Sequence, residues 1–264
     1  MSASENPKRK LDFDSKFISH SNTEPDIHGI TVTRDGEILL CDVNNRCVLK
    51  YSNTGQYENS CKIGYYPRDV STVPDANQAV VTLQESRFSR KPGFIAFIDI
   101  LSMKLVKEVQ LESTPFGITC SANYLSLGSW NMIQSHDFKG ALAKTIDLPD
   151  DRTAVKCLQT THSGRLCYTS TTVNCITTDG NAVFKYEVKD GKPRGLCEGD
   201  DNFIFVSYSN GQLLRISENG DLDDIILRGD EGYGPLNAIC FNKDYTKLYV
   251  VTNDGSSLSS FDYK

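Results

Sequence analysis

The sequence predicts an all-β protein, a six-bladed β-propeller of four-stranded antiparallel blades whose ring is closed by an N-terminal strand. Three observations carry the prediction. A unit of about 42 residues recurs six times along the chain. In each unit the second apolar run is continuous rather than alternating, and the last unit stops one strand short.

The first unit shows the plan. His28 to Gln56 reads HGITVTRDGEILLCDVNNRCVLKYSNTGQ. The apolar runs GITVT, EILLCDV and VLKY are separated by the turn-forming stretches RDG, NNR and SNTG, the pattern of an antiparallel meander. Opening runs of the same character are RDVSTV at 68–73, FGITCS at 116–121, AVKCLQ at 154–159, RGLCEG at 194–199 and NAICFN at 237–242. Their central apolar residues, Ile30, Val70, Ile118, Val155, Leu196 and Ile239, lie 40, 48, 37, 41 and 43 residues apart.

The second runs, EILLCDV, QAVVTL, YLSLGSW, RLCYTS, NFIFVSY and KLYVVT, are too continuous for half-exposed strands, so both of their faces are expected to be buried. Third and fourth strands follow, as in GFIAFIDI then LVKEVQL and GQLLRIS then DDIIL. A ring of radial sheets explains the burial, because each sheet is sandwiched between two others. First strands then line a central channel and fourth strands form the rim.

Closure is the remaining requirement. The sixth unit runs AICFN, KLYVVT and SLSSFDYK, leaving its outer strand to be supplied from elsewhere. KLDFDSKFIS at 10–19, with Leu11, Phe13, Phe17 and Ile18, is strand-like and free to donate it, which would also cover an open sheet edge. Residues 10–264 are therefore expected to form one propeller, and residues 1–9 a disordered leader.

Composition narrows the function. The chain has 264 residues, 39% hydrophobic and 23% charged, and no run approaches the roughly 18 apolar residues of a membrane helix. MSASENPKRK lacks the apolar core of a signal peptide. Nine cysteines contain no C-x-x-C pair, and several fall in predicted strands, where a reduced Cys acts as a small hydrophobe. A cytoplasmic location without cofactor, metal or membrane association is expected. The formal net charge of -6 disfavours non-specific nucleic-acid binding.

The turns of the first unit carry a family signature. Gly29, Asp35-Gly36, Asp42, Asn44-Asn45, Arg46 and Gly55 together resemble the NHL repeat. Asp42 is suited to accept turn amides, Asn44-Asn45 to adopt left-handed backbone, and Gly55 to take a positive φ. Arg46 stands one residue early, with Cys47 where the family usually has Arg, and the other units keep only the hydrophobic skeleton. Trp130 is the only tryptophan, so the repeating Trp-Asp of WD propellers is missing, as are the Gly-Gly doublets of kelch blades. The chain resembles the C-terminal propeller of tripartite-motif proteins. The resemblance implies a non-enzymatic module that recognises a protein or peptide, as the substrate-recognition part of a ubiquitin ligase.

The recognition surface is expected on the face where inter-blade loops open. Those loops contribute His28, Arg68, Phe116, Arg194, Tyr233 and Asn237, and the loops between second and third strands contribute Asn44, Arg46 and Trp130. Arg87 and Arg90 join them. A mixed-charge face with Arg and aromatic residues suits protein recognition.

Two alternatives stand behind this reading. One is an RNA-binding NHL propeller, against which the acidic balance counts. The other is a lactonase-type hydrolase holding a divalent cation in the channel. The residues expected to head the inner strands are His28, Asp69, Phe116, Thr153, Arg194 and Asn237, which offer few oxygen ligands for such an ion. The four histidines suggest no Ser-His-Asp set.

Overall fold

A computed structural model describes residues 11–17, 23–87, 89–149, 153–188 and 190–263. The expected leader at 1–9 and the ends of the closing segment, residues 10, 18 and 19, lie outside them. Strand β1 (Leu11–Phe17) precedes blade I, which comprises β2 (Ile27–Val32), β3 (Ile38–Asp42), β4 (Cys47–Tyr51) and β5 (Tyr57–Lys62). Blade II holds β6 (Tyr66–Thr72), β7 (Gln78–Gln84), β8 (Phe94–Asp99) and β9 (Lys104–Gln110). Blade III holds β10 (Ile118–Cys120), β11 (Leu125–Gly128), β12 (Met132–His136) and β13 (Leu142–Asp147). Blade IV holds β14 (Cys157–Thr160), β15 (Leu166–Thr169), β16 (Val173–Ile176) and β17 (Ala182–Tyr186). Blade V holds β18 (Pro193–Glu198), β19 (Ile204–Tyr208), β20 (Leu213–Ile216) and β21 (Leu222–Leu227). Blade VI holds β22 (Ile239–Phe241), β23 (Lys247–Thr252) and β24 (Ser257–Tyr263).

Every sheet is a four-stranded antiparallel meander, and the sixth is completed by β1. Strand β1 pairs with β24 from Leu11 opposite Tyr263 to Phe17 opposite Leu258, with a bulge between Phe13 and Ser15. The first and last strands of the propeller are thereby hydrogen-bonded to each other. No helix among the described residues is long and apolar enough to cross a membrane.

The core is divided among the blade interfaces. On β3, Leu39 and Cys41 pack toward blade II with Val70, Val81 and Ile98, while Ile38 and Leu40 pack toward blade VI with Tyr249 and Val251. This is the period-two alternation of a strand, with both faces apolar because both meet another sheet. The same division recurs on β7: Val81 and Leu83 join blade I, whereas Val80 meets Ile118, Leu125 and Leu127 of blade III. Outer strands lack a neighbour on the rim, so β9 and β13 are largely exposed.

Turn chemistry in blade I differs from expectation at one position. Gly55 takes φ of 79°, as expected, and Gly36 87°, but the left-handed residue of the Asp42 turn is Arg46, at φ 48°, rather than Asn44 or Asn45. Asp42 explains the difference. Its Oδ1 accepts from the Asn45 backbone N–H at 3.1 Å and its Oδ2 from Asn45 Nδ2 at 2.7 Å, holding Asn45 close to the strand end. The reversal is completed one residue later.

Blades are also braced to one another by hydroxyls on second strands. The buried Thr82 accepts the Asp69 backbone N–H at 3.0 Å and donates to the Phe116 carbonyl of blade III at 2.6 Å. Thr169 donates to the Arg194 carbonyl at 2.8 Å, and Ser207 donates to the Asn237 carbonyl. In blade III the equivalent position is Gly128, where a Cβ would lie 2.4 Å from Val155 Cγ1. A side chain is excluded there because Val155 fills the space.

That contact exposes a shift in blade IV. Val155 was expected at the centre of the fourth inner strand, but it belongs to the segment before it. Ala154 forms an isolated bridge with Trp130, and the inner strand β14 begins only at Cys157. Its buried central residue is Leu158. The residue heading the strand is consequently Lys156, not Thr153.

Candidate functional site

The inner strands converge on a channel, and at the end where they begin it widens into a cavity of about 500 Å³. Its volume falls within the about 300–1,000 Å³ usual for small-molecule sites. Six residues in equivalent positions head the strands around it: His28, Arg68, Phe116, Lys156, Arg194 and Asn237. Arg87 and Lys192 enter from adjoining loops. Among the described lining residues, five are Arg or Lys and a single one, Asp69, is a carboxylate. A chain of formal net charge -6 has thus concentrated positive charge at one mouth of its channel. Among its described lining residues the opposite mouth has Asp35, Glu37, Asp75 and Glu198, with Arg34 and Lys243 as the cations.

Asp69 does not offset this charge. It was expected to head β6, but Arg68 takes that place and Asp69 points between blades. Its Oδ1 accepts from the Val70 N–H at 2.9 Å and its Oδ2 from the Ile118 N–H of blade III at 3.0 Å. Burial raises its pKa to about 7, against the lowering effect of the two amide bonds. A carboxyl committed to backbone amides is a poor ligand for a divalent cation. Among the described residues no three His, Cys, Asp or Glu side chains gather as a metal site.

One side of the mouth is a fixed network. Arg68 Nε donates to Gln84 Oε1 at 2.9 Å, its Nη1 lies 3.3 Å from His28 Nδ1, and its Nη2 donates to the Arg87 carbonyl. A guanidinium can only donate, so His28 Nδ1 is the acceptor and His28 Nε2 carries the proton toward Asp26 Oδ1, 3.1 Å away. Arg87 Nη2 completes the set at 2.9 Å from Asp26 Oδ2. Burial would raise the Asp26 carboxyl, but the His28 hydrogen bond and then Arg87 and Arg68 hold it below the usual range. Both His28 nitrogens are occupied in this arrangement.

The other side is less committed. Arg194 Nη1 pairs with Asp254 Oδ1 at 2.7 Å, and Asp254 is itself well exposed. Lys156 is open to the mouth, and its pKa is lowered by desolvation, then by Arg194 and Lys192. No carboxylate among the described residues pairs with it.

The nine residues expected on the loop face divide into two groups. His28, Arg68, Phe116, Arg194 and Asn237 line the cavity, although the Asn237 amide donates to the Ile27 carbonyl at 2.6 Å and joins blade VI to blade I. Asn44, Arg46, Trp130 and Tyr233 lie outside it, each in intramolecular contacts. Asn44 donates to the Glu24 carbonyl and accepts from Arg87. Arg46 lies over the Tyr66 ring and donates to its hydroxyl. Trp130 packs edge-on against Phe116, 5.3 Å between centroids, and beneath Arg90. Tyr233 packs against Phe261. Sequence reasoning missed Lys156 and Lys192. The available signal was the second apolar residue of AVKCLQ, Leu158, which puts Lys156 at the head.

Comparison with known proteins places the fold. No family model and no curated protein matches the sequence. Among solved structures, virginiamycin B lyase from Staphylococcus aureus, a catalytically inactive histidine-to-alanine variant with quinupristin, superposes with a TM-score of 0.70 at 14% identity, covering 97% of this chain and 99% of that one. The PQQ-bound aldose sugar dehydrogenase of Streptomyces coelicolor gives 0.73 at 12% identity, covering 97% and 99%. Hydrazine synthase of Kuenenia stuttgartiensis gives 0.68 at 16% identity, covering 92% and 79%. These likenesses establish the six-bladed propeller and do not single out an NHL or tripartite-motif protein.

They also correct the functional expectation. The neighbours are enzymes, so the inference from this architecture to a non-enzymatic recognition module does not stand. Its physical basis was a mixed-charge loop face with Arg and aromatic residues. Trp130, Tyr233 and Arg46 instead pack against the propeller's own side chains, and the basic residues line a concave cavity.

Proposed function

We propose that the propeller is an enzyme acting on a small molecule that carries a carboxylate or phosphate, bound in the basic mouth of the channel. The observation that carries this reading is the charge segregation: five cationic side chains around a ligand-sized cavity in an acidic protein. Arg68 is pre-oriented by Gln84 and the Arg87 carbonyl, which lowers the cost of ordering it around an anion. Arg194 supplies a second guanidinium whose exposed partner, Asp254, is readily displaced by a ligand oxygen. Enzymatic activity among the structural neighbours supports the catalytic part of the reading. The NHL-like turn of blade I is read as ancestry, supported by the Asp42 cap and by Gly36 and Gly55 at positive φ.

The test is a thermal-shift and calorimetric survey of small carboxylates and phosphomonoesters, each paired with its neutral amide or alcohol, followed by mass-spectrometric assay of the binders for turnover. Anionic members are expected to bind and their neutral counterparts not to. Arg68→Gln and Arg194→Gln are each expected to weaken binding about tenfold, or roughly 1.4 kcal/mol. Equal binding of neutral and anionic members, or binders that are never converted, would overturn the reading.

A further inference from the structure

We propose that Lys156 is a reactive amine that condenses with the carbonyl group of a substrate also bearing an anionic group, an oxo acid in the simplest case. The inference rests on the basic mouth being an anion-binding enzyme site and adds the reacting residue and the substrate class.

Position is the first argument. Lys156 directly precedes β14, and its backbone N–H is held by the Thr169 carbonyl at 2.9 Å. The side chain therefore leaves a fixed point on the inner ring and lines the cavity. Its surroundings are the second. Lys50, by contrast, is a structural lysine: it sits 2.7 Å from Glu37 and 3.2 Å from Glu58, and these carboxylates raise its pKa against desolvation. Lys156 faces Arg194 and Lys192 instead, with no described carboxylate as partner. Partial desolvation and then these two cations lower its pKa, which increases the share of neutral amine, the nucleophilic form. The same neighbours would hold the substrate's anionic group beside that amine.

The chemistry balances without an oxidant or reductant. The neutral Nζ lone pair adds to the carbonyl carbon, giving a carbinolamine. The carbonyl oxygen then departs as water with the two amine hydrogens, leaving an imine. Protonated by solvent, that imine would withdraw electrons from an adjacent C–H or C–C bond.

The full chain incubated with pyruvate and cyanoborohydride, which reduces and fixes any imine, provides the test. Peptide mass mapping is expected to show one principal adduct, on Lys156, formed about tenfold faster than on any other lysine. Acetaldehyde, which lacks the carboxylate, should show no such preference, and propionate should compete with pyruvate. Lys156→Arg should lose the adduct while retaining the wild-type melting temperature. Labelling spread over surface lysines would overturn the proposal, and the wild-type map decides this even if the variant does not fold. If propionate binds but pyruvate leaves no adduct, only the imine is excluded. If neither binds, the anion site fails with it.

Discussion

Asp69 shows how one buried carboxyl can serve the fold at a cost that depends on pH. It accepts two backbone amides, one of them from the next blade, in a buried position that lifts its pKa to about 7. In the unfolded chain its pKa would be about 3.9. Between these values the folded chain holds a proton that the unfolded chain has released, so this group's contribution favours folding below about pH 4 and declines as pH rises toward 7. Asp69→Asn keeps the shape and removes the titration, at the pH-independent cost of one acceptor, because its amide nitrogen can only donate. The stability difference, wild type minus variant, is expected to fall steadily over that range in urea melts. A flat difference would mean that the amide bonds keep the carboxylate ionised throughout. Arg68 and Asp69 also mark where the sequence stops being legible. Both are charged and adjacent, and only the register of β6 against β7, which shifts between Pro67 and Val70, decides which enters the channel. Pro67, at the start of that shift, marks an irregularity in the strand but not which of the two residues it turns inward.

At the level of elements, the strand pattern was readable because burial on both faces forces continuous apolar runs. All six second strands lie where those runs were read. Blade IV failed for a specific reason. AVKCLQ contains two apolar residues three apart, Val155 and Leu158, and either could centre a strand. Val155 fills the space above Gly128, so Leu158 takes the inner-strand position. An odd shift of this kind exchanges the faces of a strand, which is why Thr153 was expected where Lys156 stands. Hydroxyls at Thr82, Thr169 and Ser207 were equally silent, since their bonds run to other blades. Their role can be measured. Blade VI has Val251 in the equivalent position, so valine is compatible with this strand environment. Thr82→Val keeps the volume but leaves the Phe116 carbonyl and the Asp69 N–H without their partner. A loss of about 1–3 kcal/mol is expected in denaturant unfolding, and a change under about 0.5 kcal/mol would show that the brace is dispensable.

Across the whole molecule, closure turns six marginal sheets into one cooperative unit. Adjacent blades share a hydrophobic cluster, including the pair formed by blades VI and I. The seam is held additionally by Asn237 to Ile27 and by the pairing of β1 with β24. Position in the ring also creates the charge contrast between the two channel mouths, because a residue heading each inner strand meets its five counterparts only when the circle is complete. Removal of residues 1–17 tests this dependence. Without β1, strand β24 becomes a sheet edge with a row of unpaired backbone groups, a template for pairing with another chain. A loss of about 3 kcal/mol would lower Tm by roughly 6–12 °C for a domain of this size. The shortened chain is therefore expected to melt earlier, and to elute as dimers or larger species in size-exclusion chromatography at concentrations where the full chain shows one peak. Anion binding should weaken with it, since the mouth is assembled from all six blades. A shortened chain with unchanged Tm, unchanged elution and full anion affinity would show that the seam between blades VI and I closes the ring without β1.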